Sequence, residues 1–145
     1  MKMVNWSEYA EALRRLHEQL ELHEFDDMAA IGRGGSIVAA YLSSKMGVPI
    51  FHTVFVRHSG RGPELKVIPE DLDHVRFLRG RLLLVDDSLI EGRAMRYVLD
   101  LLPKTASVVT AVAFCRKGSE FKPDFVGEYV DEKERQIIFP YDPVI

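Results

Sequence analysis

Four runs of this chain are apolar nearly throughout: DMAAI at 27–31, VPIFHTVFVRH at 48–58, RLLLVD at 81–86 and ASVVTAVAFC at 106–115. A strand with one face in water alternates apolar and polar residues. A strand without that alternation is covered on both faces, which is the signature of a parallel sheet under two layers of helices. Helical segments lie between the runs. NWSEYAEALRRLHEQLELHEF sets Trp6, Tyr9, Leu13, Leu16 and Leu20 at helical spacing, and Asn5 with Glu8 has the form of a capping box. SIVAAYLSSKMG reads as a helix from Ser36, closed by Gly47 at a C′ position. EGRAMRYVLDLLP reads as a third helix, stopped by Pro103. DFVGEYV and RQIIF form a strand-like tail. The expectation is an α/β fold: a parallel twisted sheet flanked by helices.

In such sheets ligands sit outside the carboxyl ends of the strands. Two strand-to-helix connections are therefore the places to look, GRGGS at 32–36 and DDSLIEGRA at 86–94. GRGGS lacks the third glycine of a dinucleotide fingerprint, since Ile37 stands there, and it lacks the Gly-Lys-Ser/Thr ending of a P-loop. It does offer free backbone N–H groups, close approach and the cation Arg33, which suit a phosphate or pyrophosphate. A tight turn relieved by glycine explains it equally well. Asp86 and Asp87 close a buried strand, where a carboxylate is costly unless hydrogen-bonded or facing a cleft. Accepting from hydroxyls or holding hydrated Mg²⁺ would justify them; the plainer reading is a helix N-cap with one solvated neighbour.

Composition bounds the rest. The 145 residues are a single-domain length, 1–145, with 47% hydrophobic and 28% charged residues, which excludes a disordered chain. A net charge of −3 argues against nucleic acid as a partner. No run is long enough to span a bilayer. The lone Cys115 cannot close a disulfide within the chain, which fits the cytoplasm. The five histidines show no metal spacing and there is no G-x-S-x-G elbow, so neither zinc nor serine-nucleophile chemistry is indicated.

VDDSLIEGRAM resembles the 5-phosphoribosyl-1-pyrophosphate (PRPP) signature of the type I phosphoribosyltransferases, and AAIGRGGSIVAAYLSSKMGVPI is similar to their pyrophosphate-loop segment. ELKV at 64–67, KPDFVG at 122–127 and FPYD at 139–142 are similar to the 6-oxopurine branch, the xanthine-guanine and hypoxanthine-guanine enzymes. The resemblance implies that fold with a small hood from the C-terminal segment. It implies Mg²⁺-dependent transfer of a 5-phosphoribosyl group between PRPP and a nucleobase, guanine, hypoxanthine or xanthine first, and a homo-oligomer, dimer or tetramer. Carried over by position, Arg33, Gly34 and Gly35 receive pyrophosphate, and Asp86 and Asp87 hold the ribose hydroxyls. Glu91, Gly92, Arg93 and Ala94 form the 5′-phosphate loop. Lys117, Gln136 and Ile137 fall at the base, and Asp87 and Asp142 at the metal. Residues 57–63 match the mobile loop that closes over the substrate.

Two departures stand out. Where the family has Thr-Gly-x-Thr, this chain has Glu91-Gly92-Arg93-Ala94, which removes two hydroxyl donors and adds an anion. Where the purine enzymes have an aspartate as general base, it has Ile90. These keep a second reading open: a protein of this fold that binds a nucleotide or PRPP without turnover, or that takes an altered ligand.

Overall fold

The computed structural model describes residues 1–48, 51–58, 65–67 and 78–143. The chain opens with β1 (Lys2–Met3) and α1 (Trp6–Leu20). The capping box is present: Asn5 Oδ1 accepts the Glu8 N–H at 2.8 Å, and Glu8 Oε1 accepts the Asn5 N–H at 3.4 Å. Of the apolar positions on α1, Tyr9, Leu13, Leu16 and Leu20 are buried. Trp6 is not; it stays 60% exposed at the start of the helix, against the C-terminal segment.

β2 (Asp27–Ile31) leads directly into α2 (Gly32–Met46), then β3 (His52–Val54). Gly47 closes α2 in the left-handed conformation, φ 73°, as expected of a C′ glycine. The run read as one strand over 48–58 divides at Phe55. β4 (Val56–His58) leaves the main sheet and pairs antiparallel with β5 (Leu65–Val67). Residues 59–63 of the mobile-loop match, and most of the connection before Gly80, lie outside the described residues.

β6 (Arg81–Leu89), α3 (Arg93–Leu101), β7 (Ser107–Arg116) and β8 (Phe125–Val130) complete the main sheet, and β9 (Ile137–Ile138) pairs with β1 as a separate small ribbon. The sheet order is β3-β2-β6-β7-β8, and its pairings are all parallel. The tail strand β8 is thus a member of the sheet, held at its start by Asp124, whose Oδ2 accepts the Thr110 N–H at 2.9 Å and hydroxyl at 3.1 Å.

Alternation along β6 divides the core. Leu83 and Val85 face α1 and α2 with Leu16, Leu42 and Phe114, while Leu82 and Leu84 face α3 with Met95 and Val98. Both faces are covered, which is why the strands read as continuous apolar runs. The order of strands reverses between β2 and β6. β2 sends its helix out to β3 on one side, and the chain returns to β6 on the other. A crevice opens at such a switch point, outside the strands' carboxyl ends. No helix among the described residues is long and apolar enough to cross a membrane.

Candidate functional site

The two expected connections meet at that switch point. α2 begins at Gly32, four residues before the expected Ser36, so Arg33, Gly34 and Gly35 form its first turn instead of a loop. β6 runs on to Leu89 and carries both acids inside the strand, where the sequence suggested an end at Asp86. The physical reason is the neighbouring β7, whose pairing continues through Asp86↔Val112 and Ser88↔Phe114. A strand with a partner keeps its backbone bonds whatever its side chains.

The glycines have a steric cause. A Cβ on Gly34 would fall inside the Asp87 carboxylate, and one on Gly35 would lie 2.9 Å from the Val85 carbonyl oxygen. The first turn of α2 is therefore seated directly on the end of β6. The turn and the Asp87 carboxylate are thus in direct contact. Neither α2 nor α3 has a side-chain cap or an acid in its first turn, whereas α1 has a full capping box. An uncapped first turn leaves up to four backbone N–H groups and the positive end of the helix dipole for an anion.

Asp86 and Asp87 point to opposite faces, as neighbours on a strand must. Asp87 lies on the α1–α2 side. Its Oδ2 accepts the Tyr141 hydroxyl at 2.7 Å and its Oδ1 the Ser88 hydroxyl at 3.3 Å. Asp86 lies on the α3 side, where it lines a cleft of about 340 Å³ with Ser88, the 89–95 segment and Arg135. Its Oδ1 accepts the Asp87 N–H at 2.8 Å. Burial of its carboxyl, and then the charge on Asp87, push its pKa well above the ordinary 3.8.

Gly92, at φ 84°, is the turn into α3, and a Cβ there would meet Phe121, so glycine is required on both counts. Glu91 pairs with Arg93 at 3.3 Å, with both side chains more than half exposed. Ile90 is partly buried against the core on the α1–α2 side. Lys117 is exposed on the turn after β7. It lines an adjoining cleft of about 420 Å³ with Arg116, Lys133 and Arg135. Arg135 belongs to both clefts. Gln136 is exposed, and its carbonyl accepts the Lys2 N–H. Ile137 is in the core. Asp142 uses one oxygen on the Phe139 N–H at 2.8 Å, closing its own turn.

Three residues at the site escaped the sequence reading. Ser88 sits between the acids and the loop, where its strand position is visible only once β6 is known to continue. Arg135 neighbours Gln136, and a lone arginine in a charged stretch carries no pattern. Tyr141 lies within FPYD; that an aromatic there reaches Asp87, 54 residues away, has no local signature.

A doubly covered parallel sheet here brings two acids and two helix starts without side-chain caps to its switch point, where α/β proteins of this layout carry their ligand sites. The phosphoribosyl transferase domain family matches residues 5–142. The chain is 31% identical to the xanthine-guanine phosphoribosyltransferase of Idiomarina loihiensis over 96% of its length and 85% of the relative's. It is 33% identical to that of Chromohalobacter salexigens, over 96% and 82%. The crystal structure of a purine phosphoribosyltransferase from Pyrococcus horikoshii superposes with a TM-score of 0.78 at 24% identity, covering 100% of this chain and 98% of that one. The chain belongs to the type I phosphoribosyltransferase family of enzymes, beside its 6-oxopurine branch.

Proposed function

We propose that the 1–145 chain acts as one phosphoribosyltransferase-like domain, moving a 5-phosphoribosyl group between PRPP and a 6-oxopurine (guanine, hypoxanthine or xanthine) in purine salvage. The observation that carries this is the seating of the uncapped α2 turn on Asp87 beside the Asp86 cleft. Pyrophosphate is received by Arg33 and the N–H groups of Gly34 and Gly35, and the ribose hydroxyls by Asp86 and Asp87, one from each side of β6. The 5′-phosphate meets the 91–94 turn at the start of α3. Lys117 and the exposed Gln136 flank the base, and Arg135, between the two clefts, adds a cation.

The residues fit Mg²⁺. It takes one or two protein carboxylates and completes its shell with water and substrate phosphates. Asp87 is such a carboxylate, with Asp142 as the second acid from the hood. No group of three or more His, Cys, Asp or Glu among the described residues forms a metal cage. Bound there, Mg²⁺ would neutralise charge building on the departing pyrophosphate. The chain's own part is to hold the polyanion on preorganised N–H donors, which strengthens as C1 takes oxocarbenium character. A cytoplasmic setting and a homo-oligomer, dimer or tetramer, belong to this reading, with exposed Met1, Met3 and Trp6 as apolar surface to cover.

A thermal-shift panel of PRPP, GMP, IMP and XMP with and without Mg²⁺, alongside nucleotide formation from each base, tests the reading. A ligand at 100 times its dissociation constant adds about 2.7 kcal/mol of stability. Stabilisation by Mg²⁺–PRPP with nucleotide formation supports it, and no response to PRPP sinks it. The Glu91–Arg93 pair favours one variant of the reading: it presents an anion and an engaged cation where the 5′-phosphate would bind. Stabilisation by a dephosphorylated nucleoside over its nucleotide would select that altered-ligand form.

A further inference from the structure

We propose that Tyr141 is the positioning residue for Asp87, a role that rests on the reading of Asp87 as a ligand-binding acid. Asp87 is wedged between two constraints. The first turn of α2 comes so close that only glycine fits at 34. The Tyr141 hydroxyl donates at 2.7 Å to Oδ2, the same oxygen that Gly34 approaches. Both contacts fall on Oδ2, while Oδ1 accepts the Ser88 hydroxyl at 3.3 Å, so each oxygen of the carboxylate has a defined neighbour.

Tyr141 is itself fixed. Its ring stacks on Phe139 with centroids 5.2 Å apart and planes 2° from parallel, and it meets Tyr9 edge-on at 5.6 Å. These contacts use only the ring, so phenylalanine would pack as well; the hydroxyl donates to Asp87, with the Tyr9 hydroxyl close beside it. Tyr9 supplies the internal contrast. It sits in the same aromatic group at 3% exposure, and its hydroxyl makes no hydrogen bond of regular geometry among the described residues, although it lies near the Tyr141 hydroxyl and Asp87. Of the two hydroxyls, only that of Tyr141 bonds the carboxylate directly. Because Phe139 and Tyr141 belong to the C-terminal segment, that segment is joined to the acid it covers. The single tryptophan, Trp6, lies 6.3 Å from the Tyr141 ring and reports on it.

The test compares Tyr141→Phe, Tyr9→Phe, Asp87→Asn and Tyr141→Phe/Asp87→Asn by calorimetric titration with Mg²⁺–PRPP, with thermal melts as the fold check. Tyr141→Phe should bind about 10- to 100-fold more weakly, the range for losing a hydrogen bond to a charged group. Tyr9→Phe should weaken binding less than Tyr141→Phe does, and the double variant should bind no worse than Asp87→Asn alone. If Asp87→Asn binds poorly while Tyr141→Phe binds like the parent, the positioning role is wrong and the site reading stands. Equal weakening by both tyrosine variants also overturns it, since the hydroxyls would then serve the aromatic group. If Asp87→Asn binds like the parent, the site reading fails and this inference with it. Should Tyr141→Phe not fold, Trp6 emission of the parent decides. A response to saturating Mg²⁺–PRPP supports the proposal, and no response overturns it.

Discussion

At the scale of single residues, the site is governed by contacts too close to admit an extra atom. Gly34→Ala would drive a methyl group into the Asp87 carboxylate, so either Asp87 turns away or α2 lifts from β6. Overpacking of this kind costs about 1–3 kcal/mol. The expected outcome is a lower melting temperature together with loss of Mg²⁺–PRPP binding, read by melts and calorimetry on the same sample. Asp86 poses the opposite case, a residue whose present form opposes stability. Its folded-state pKa is raised, so folding takes up a proton. Below the unfolded value of 3.8 both states are protonated and nothing is lost. As pH rises from 3.8 towards the raised folded value, the unfolded chain ionises while the native one keeps its proton, so stability falls across that window and levels off above it. Asp86→Asn should therefore melt higher than the parent at neutral pH, by about 0.5–2 kcal/mol. The gain should vanish in melts at about pH 3–4. A gain of equal size at both pH values would mean that the charge is not its source.

Among the secondary-structure elements, the helix starts differ in how they are capped. α1 satisfies its first turn with Asn5 and Glu8, whereas α2 and α3 have no side-chain cap. Glu91, just before Gly92, sets an anion at the start of α3, and its pairing with Arg93 offsets the charge only weakly because both are exposed. Replacing Glu91 and Ala94 with Thr should leave stability within about 1 kcal/mol, the worth of an exposed pair. It should also raise affinity for GMP roughly ten- to a thousandfold, from two added hydrogen bonds to a charged phosphate. Calorimetry that finds GMP affinity unchanged or lower would assign Glu91 to a different ligand. The proton acceptor is a separate matter: Ile90→Asp, added to that background, should raise turnover without being needed for the binding gain.

For the whole molecule, the hood and the sheet share one core. Phe139 is buried against Phe114 of β7 and Tyr9 of α1, and it carries Tyr141 to the site. Phe139→Ala should cost about 3–5 kcal/mol, as buried Phe-to-Ala changes do. That is a large share of a typical domain's 5–15 kcal/mol. Denaturant melts should show the loss. Where the variant remains folded, Mg²⁺–PRPP affinity should fall with it, because the stacking partner of Tyr141 is gone.

The layout of strands and helices was legible along the chain because its cause is local: unbroken apolar runs, helical spacing, the Asn5–Glu8 box and the Gly47 stop. Asp86, Asp87 and the Arg33–Gly35 turn could be singled out for the same reason, since strand ends and helix starts are written in neighbouring residues. The family resemblance extended this by recognising that order of motifs. What neighbouring residues do not encode is pairing over distance. The extension of β6 through the acids depends on β7, and the departure of β4 from the main sheet depends on its pairing with β5. The separation of Asp86 from Asp87 follows from which side each core lies on. Tyr141 reaches Asp87 only because the C-terminal segment folds back over α1 and the carboxyl edge of the sheet. Each of these rests on contacts between residues far apart in sequence, where burial and close approach choose among arrangements that local propensity leaves equal.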